Sequence, residues 1–192
     1  MKLFEYESKT ILTRYGVPTP QGGLATNLVQ GREIASKLKP PLVAKAQVLV
    51  AGRGKAGGIL FADSIDETEK AVEKLLHVQI KGIPVKSVWI EEKIQTKKEL
   101  YFGVTTDRFS RCYVSVASST GGMEIEDIAT QAPEKIVKTA INPQHGFQPF
   151  HAKQIAREIG YAGSQFLELA GIFERIYRIG MDYDTELIEM NP

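Results

Sequence analysis

The feature of this sequence closest to chemistry is a lysine inside an apolar run, with a dense cluster of glycines behind it. Lys45 interrupts Pro41-Leu-Val-Ala-Lys-Ala-Gln-Val-Leu-Val50, and Ala51-Gly-Arg-Gly-Lys-Ala-Gly-Gly58 follows at once. An unpaired ammonium is costly to bury, so Lys45 should point at an anion or at solvent. A glycine loop leaves backbone N–H groups unhindered, able to close over phosphate oxygens that Lys45 could also reach. Arg53 and Lys55 at the loop tip suit a polyphosphate, although a plain β-hairpin with a solvated, glycine-rich tip fits the same residues. Gly52-Arg-Gly-Lys-Ala-Gly57 formally satisfies GxGxxG, but a dinucleotide fingerprint must open a helix. Here the loop runs into Gly58-Ile-Leu-Phe-Ala62, which is short and strand-like, so a NAD-binding reading fails. A phosphate-binding loop of the Walker A kind fails as well, because Ala56 rather than Ser or Thr follows Lys55.

Two further groups carry weaker signals. Val88-Trp-Ile-Glu-Glu-Lys-Ile94 is an apolar strand ending in acids, and Glu99 heads the next strand. Ribose hydroxyls seek a carboxylate acceptor, so this strand–loop–strand hinge could seat a nucleoside; a mixed-charge loop without special role is the alternative. Near the other end of the chain, Glu189 and Asn191 offer the hard oxygens that Mg²⁺ accepts, although polar residues at a terminus are common. His77, His145 and His151 lack metal-ligand spacing, and Cys112, alone in an alternating run, reads as a packed strand thiol.

These groups must be positioned by a chain of 192 residues, enough for one ordinary domain or two small lobes. Its content, 43% hydrophobic and 24% charged, excludes wholesale disorder, and its net charge of +1 lacks the cationic surplus of a general nucleic-acid binder. A single cysteine excludes an internal disulfide and a cysteine-based zinc site. The N-terminus has no apolar stretch like that of a secretion signal, and no run approaches the ~20 apolar residues of a membrane span. A cytoplasmic, soluble protein without membrane or nucleic-acid partners is the expectation.

The patterning predicts helices over residues 4–15 and 29–38, and a helix opened by the capping box Ser64-Ile-Asp-Glu67 and running to Leu76. It predicts strands over 41–50, 59–62, 85–91, 99–106, 112–118 and 186–190, a loop over 17–23, a turn-plus-strand at 120–126, and mainly helix over 151–180. Strands and helices mix without the regular alternation of a doubly wound sheet, so the expectation is an α+β fold of two lobes that interrupt each other in sequence.

Together these pieces resemble the β subunit of ADP- or GDP-forming succinyl-CoA synthetase, a family with an ATP-grasp fold. The resemblance begins at Met-Lys-Leu-Phe-Glu-Tyr-Glu-Ser-Lys9 and Arg14-Tyr-Gly-Val-Pro18. It is most specific at Val43-Ala-Lys-Ala-Gln-Val48 and Gly52-Arg-Gly-Lys-Ala-Gly-Gly58, and it runs on through Lys98-Glu-Leu-Tyr-Phe-Gly103, Asp107-Arg108, Ser118-Ser-Thr-Gly-Gly-Met-Glu-Ile-Glu126 and Leu187-Ile-Glu-Met-Asn-Pro192.

The resemblance implies two interleaved lobes clamping a nucleotide, one of about residues 1–20 plus 95–192 and an inserted one of about 21–94. By the same resemblance Lys45 contacts the nucleotide's phosphates, and Gly52, Arg53 and Gly54 cover them. Glu91 lies near the adenine, Ile94 meets the base through its backbone, and Glu99 holds the ribose. Asn191 ligates Mg²⁺, and Glu189 is a catalytic acid that meets the phosphohistidine loop of a partner α subunit. Pro20 is the residue of ATP-preferring members. The implied reaction passes phosphate between ATP/ADP and that histidine, via an acyl phosphate in the synthetic direction, before CoA captures the acyl group. The α subunit carries the phosphohistidine and the CoA site. Thr120 departs from the family, where many members carry Glu. A second, acidic metal ligand and a C-terminal CoA-ligase lobe are expected beyond Pro192, so the 192 residues alone are expected to be inactive. Related readings are a malate–CoA ligase or ATP-citrate lyase type module, and a non-catalytic nucleotide-binding fragment.

Overall fold

Period-2 alternation and amphipathic helices organise the first half of the chain into α1 (Glu5–Arg14), β1 (Gly22–Ala25), α2 (Leu28–Lys37), β2 (Leu42–Ala46), β3 (Ile59–Ala62), α3 (Ile65–Leu76), β4 (Gln79–Ile80), β5 (Ile83–Pro84) and β6 (Val88–Glu92). The computed structural model describes residues 1–122 and 124–191. By contact the chain separates into one unit of Met1–Thr13 with Pro18–Gln95 and a second of Arg14–Val17 with Thr96–Pro192. The sequence reading grouped residues 1–20 with the second unit. Residues 1–13 instead group with the first, because Glu5 and Lys9 form ion pairs with Lys45, Arg53 and Glu91.

In the first unit four strands form an antiparallel sheet in the order β1-β6-β2-β3. The alternation of β2 and β6 sorts their residues by face. Leu42, Ala44, Ala46, Val88 and Ile90 enter a core shared with Ala35 of α2 and Ala71, Val72 and Leu75 of α3. Val43, Lys45, Trp89 and Glu91 hold the alternate positions, in the register Lys45↔Trp89 and Val43↔Glu91. That register sets Lys45 diagonal to Glu91 on one face. The expected loop at 17–23 stops short of its end, since β1 begins at Gly22. A Cβ there would stand 2.5 Å from the Ile90 carbonyl oxygen, so glycine is what lets β1 lie against β6.

The capping box opens α3 as predicted, with the Ser64 hydroxyl accepting from the Glu67 N–H at 3.2 Å. Its return half lands one residue further back: the Glu67 carboxylate accepts from the Asp63 N–H at 2.8 Å.

The second unit contains β7 (Tyr101–Asp107), β8 (Cys112–Ser118), α4 (Ile125–Gln131), a 3-10 turn (Pro133–Lys135), β9 (Ile136–Ile141), α5 (Pro149–Glu158), α6 (Gly163–Asp182) and β10 (Leu187–Met190). Its antiparallel sheet runs β10-β7-β8-β9, with α6 packed on β7 and β10 and α5 packed on β9 and α6. Phe102, Ile141, Ile155, Phe173 and Ile176 are fully buried. Two expectations change here. The described residues of 120–126 form no strand: α4 starts at Ile125, with Ile128 buried one turn on and Glu126 and Asp127 placed favourably at the helix's positive end. Met123 of that motif, like Pro192 of the last one, lies outside the described residues. The free edge of β8 is taken instead by β9, which the sequence reading passed over.

The three histidines keep structural roles or none. His77 caps the end of α3 on the surface, and His151 Nδ1 accepts from the Gln148 N–H at 2.9 Å at the start of α5. Burial lowers the His151 pKa, which suits an imidazole that must stay neutral to accept that bond. Among the described residues no helix is long and apolar enough to cross a membrane.

Candidate functional site

In the first unit Lys45 does find an anion. Its ammonium lies 2.6 Å from Glu91 Oε1 and 3.2 Å from Glu5 Oε1, so the strand lysine faces two carboxylates rather than solvent. Glu5 Oε1 also meets Lys9, one helical turn away, at 2.9 Å, and Glu5 Oε2 meets Arg53 from the glycine loop. Glu91 Oε2 accepts from the Trp89 indole N–H at 2.6 Å and pairs with Lys9. The Gln47 side chain ties the elements together, accepting from the Tyr6 N–H at 3.3 Å and donating to the Lys45 carbonyl at 3.0 Å. Three cations and two carboxylates thus share one polar cluster of net charge +1, with Lys45 and Glu91 on sheet positions that alternate with the apolar core, Glu5 and Lys9 on α1, and Arg53 in the glycine loop.

The glycine loop is wound on itself. The Ala56 N–H donates to the Gly52 and Arg53 carbonyls, that of Gly57 to Gly54, and that of Gly58 to Arg53 at 2.8 Å. It joins β2 to β3, which pair antiparallel, so the strand–loop–strand reading holds and no helix follows to make a dinucleotide fingerprint.

The cluster fixes the ionisation of its members. Burial pushes the Glu5 carboxyl up, but Lys45, Lys9 and Arg53 outweigh it and bring its pKa from the ordinary 4.5 down to about 2. Burial works against a charged Lys45, yet Glu5 and Glu91 more than offset it and raise its pKa. Since the folded value of Glu5 lies below the unfolded one, its stabilisation is complete above pH 4.5, declines as pH falls toward about 2, and vanishes below both. Urea unfolding at stepped pH should therefore show stability dropping across that interval. Glu5→Gln should flatten this part of the profile, and an unchanged slope would refute the pairing.

Sequence reading placed Lys45, Arg53 and Glu91 among the site residues, and the structure joins all three in this cluster. It missed Glu5, Lys9 and Gln47. An acid and a base one helical turn apart on the first helix, and a strand lysine in need of a countercharge, were the signals available. Glu91 is 3% exposed, and its carboxylate is engaged by Lys45, Lys9 and Trp89. Gly52 and Gly54 flank Arg53 in the loop, and Ile94 is exposed in an irregular stretch after β6.

In the second unit two of the remaining candidates, Glu99 and Asn191, meet at Gly122. The Gly122 N–H donates to Asn191 Oδ1 at 2.7 Å, and a Cβ on Gly122 would collide with the Glu99 carboxylate. Gly122 also has φ +75°, so both its backbone and its neighbours require glycine. Glu99 Oε1 accepts from the Thr96 hydroxyl at 3.3 Å. Glu189, opposite Gly103 on β7, accepts from the Tyr101 hydroxyl at 2.8 Å. Burial, then this bond and the charges of Glu189, Glu126 and Glu124, raise the Tyr101 pKa, so the phenol remains a donor. Among the described residues no three His, Cys, Asp or Glu side chains converge as a metal cage. The donor chemistry still fits Mg²⁺: an amide oxygen such as that of Asn191 is a hard ligand, and Mg²⁺ commonly takes one or two protein oxygens with phosphates and waters.

Known proteins match the chain along its length. It is 45% identical over 192 residues to the succinate–CoA ligase [ADP-forming] subunit beta of Ignicoccus hospitalis, covering all of this chain and 51% of that protein. It is 44% identical over 200 residues to the subunit of the same name from Nautilia profundicola, with the same coverage. The chain therefore spans about half the length of the curated relatives it matches. Among solved structures, an acetyl-coenzyme A synthetase of Ca. Korarchaeum cryptofilum, in complex with coenzyme A, Ca-AMPCP and HgCl⁺, superposes with a TM-score of 0.81 at 17% identity, over 100% of this chain and 86% of the other. ATP citrate lyase from Methanothrix soehngenii, in complex with citrate and coenzyme A, gives 0.78 at 19%, over 100% and 46%. These two likenesses speak for the fold. A family model for the ATP-grasp domain spans residues 2–192, taking in both sheets and every candidate residue above, and the chain belongs to that family.

Proposed function

We propose that this chain is the nucleotide-binding part of an ADP-forming succinate–CoA ligase, placing Mg-ATP or Mg-ADP for phosphoryl transfer to or from a histidine on a partner α subunit. The observation that carries the reading is the convergence of Lys45 and Arg53, from different elements, in one cation-rich cluster. Its support is the name borne by relatives at 39–45% identity.

In this reading Lys45 and Arg53 hold phosphate oxygens and Gly52 and Gly54 let the loop backbone approach them. Glu91 and Ile94 serve the base end and Glu99 takes the ribose hydroxyls. Asn191 would hold Mg²⁺, which when bound neutralises charge on the phosphates. Glu189, kept in place by Tyr101, meets the partner's phosphohistidine loop. In the transfer, the bond between the γ-phosphorus and the ADP oxygen breaks and a phosphorus–nitrogen bond to the histidine forms. This chain's contribution is orientation and electrostatics rather than covalent chemistry. Phosphate then passes to the carboxylic acid, and CoA captures the acyl group. The compartment fitting this chemistry is the cytoplasm.

Calorimetric titration with ATP and ADP, with and without Mg²⁺ and with NAD as control, tests the nucleotide part. Binding of the adenine nucleotides but not of NAD is expected, and the reverse pattern would refute it. For the acid, the protein is combined with its α subunit and offered succinate, malate, citrate and acetate with ATP and CoA. Thioester formation from succinate above the others is the expected result.

A further inference from the structure

We propose that Glu5 is a positioning residue for the phosphate-binding cations: its carboxylate bridges Lys45 on β2 and Arg53 on the glycine loop, holding the loop cation beside the strand cation before a nucleotide arrives. The inference rests on the nucleotide reading above and assigns a role to a residue outside the motif that suggested it.

The geometry separates the two oxygens by task. Oε1 meets Lys45 at 3.2 Å and Lys9 at 2.9 Å, while Oε2 meets Arg53. Two like charges that must converge on one polyphosphate repel each other, and a carboxylate between them removes that cost. The partners are not equally replaceable. Lys45 has a second carboxylate, Glu91, at 2.6 Å. Beyond Glu5, Arg53 donates to the Ala46 carbonyl at 3.3 Å, a long neutral bond. Loss of Glu5 therefore leaves Lys45 anchored and leaves the Arg53 guanidinium with that neutral bond.

Glu5 does not exhaust the cations it holds. An ammonium has three protons and a guanidinium five N–H donors, so both keep capacity for phosphate oxygens while bonded to the carboxylate. The cluster also keeps a net positive charge, so the bridge does not cancel the attraction for an anion. Its low pKa keeps Glu5 ionised at any physiological pH, and the bridge does not switch. The carboxylate stands in the first turn of α1, where the helix dipole favours it.

A residue that acts by placing a phosphate-binding cation should matter in proportion to the phosphates present. The wild-type protein, Glu5→Gln, Arg53→Ala and the double variant are titrated calorimetrically with AMP, ADP and ATP in Mg²⁺. Glu5→Gln should weaken ATP and ADP about tenfold, the value of one charge-assisted hydrogen bond, and AMP by less than about twofold. The double variant should bind no more weakly than Arg53→Ala, because both changes remove one interaction. Equal losses for the three nucleotides, or losses that add, overturn the role and leave Glu5 as a stabilising ion pair. Lys45→Ala separates the two levels: if it leaves all three affinities unchanged, the nucleotide reading itself fails. If it weakens them while Glu5→Gln does not, only the bridge fails. Should Glu5→Gln not fold, Glu5→Asp keeps the charge but is one methylene too short to span both cations. A loss confined to ADP and ATP supports the bridge, and a uniform or absent loss refutes it.

Discussion

Lys45→Ala is expected to lower the affinity for Mg-ATP about a hundredfold, which corresponds to removing a charge-assisted bond of ~2–3 kcal/mol. The expectation follows from what is left behind. Glu5 keeps Lys9 and Arg53, and Glu91 keeps Lys9 and Trp89, so the cluster survives but its net charge falls from +1 to zero. A polyphosphate then loses a donor and meets two carboxylates with less to mask them. Lys45→Arg should recover only part of the loss, because a planar guanidinium cannot take the place of a compact ammonium between Glu5 and Glu91. Calorimetric titration reads both variants, and a thermal melt of each without nucleotide separates lost affinity from lost fold. Affinity unchanged in a folded Lys45→Ala protein would remove the phosphate role from Lys45 and with it the site as assigned.

Much of this cluster was legible in the sequence, and the reason is local. A charge in the middle of an apolar strand is a conflict that one line of residues displays, and so is a glycine loop that leads into a strand instead of a helix. Both readings hold in the fold, with Lys45 against carboxylates and the loop closing the β2–β3 hairpin. The counter-ions were not legible, because Glu5 lies forty residues upstream on another element and nothing in its neighbourhood says what it faces. In sequence Phe4, Ser8, Ile11, Leu12 and Tyr15 fall on roughly one helical stripe, a pattern that includes neither Glu5 nor Lys9. No residue of α1 is in fact fully buried, and Glu5 and Lys9 make the ion pairs to the sheet. β9 was missed for a similar reason: Ile136-Val-Lys-Thr-Ala-Ile141 has the residues of an edge strand, but its partner β8 is set by the register Ser118↔Ile136, a tertiary fact. The gathering of Glu99 and Asn191 at Gly122 is tertiary too, since residues far apart in sequence meet at one backbone N–H and one missing Cβ.

The other large effect is expected in the second unit, where Phe173→Ala should cost ~3–5 kcal/mol of unfolding free energy, the range for removing a buried phenylalanine ring. Phe173 is 0% exposed and stacks on Phe102 of β7, with ring centroids 4.0 Å apart and planes 13° from parallel. Phe102 in turn lies 6.4 Å from Phe147, which stacks on Tyr177 at 5.1 Å, so the pair begins an aromatic layer between α6 and the sheet. An alanine at 173 leaves a cavity that the layer cannot close by collapse, because strand pairing fixes Phe102 from both sides, opposite Ala117 on β8 and Met190 on β10. Phe173→Leu keeps most of the apolar volume and should cost less than half as much. The sole tryptophan, Trp89, belongs to the other unit, so urea unfolding is followed by far-UV circular dichroism. The consequence reaches the candidate site through one strand. Phe102 sits on β7 between Tyr101, which holds Glu189, and Gly103, which faces it in the β10 register. A loosened β7 should therefore weaken nucleotide binding as well as stability, although Phe173 is not itself one of the candidate ligand residues. A loss below ~1 kcal/mol would mean that the ring contributes no more than an ordinary surface side chain. A full loss with unaltered nucleotide affinity would show that β7 holds Glu189 and Asn191 without help from the core behind it.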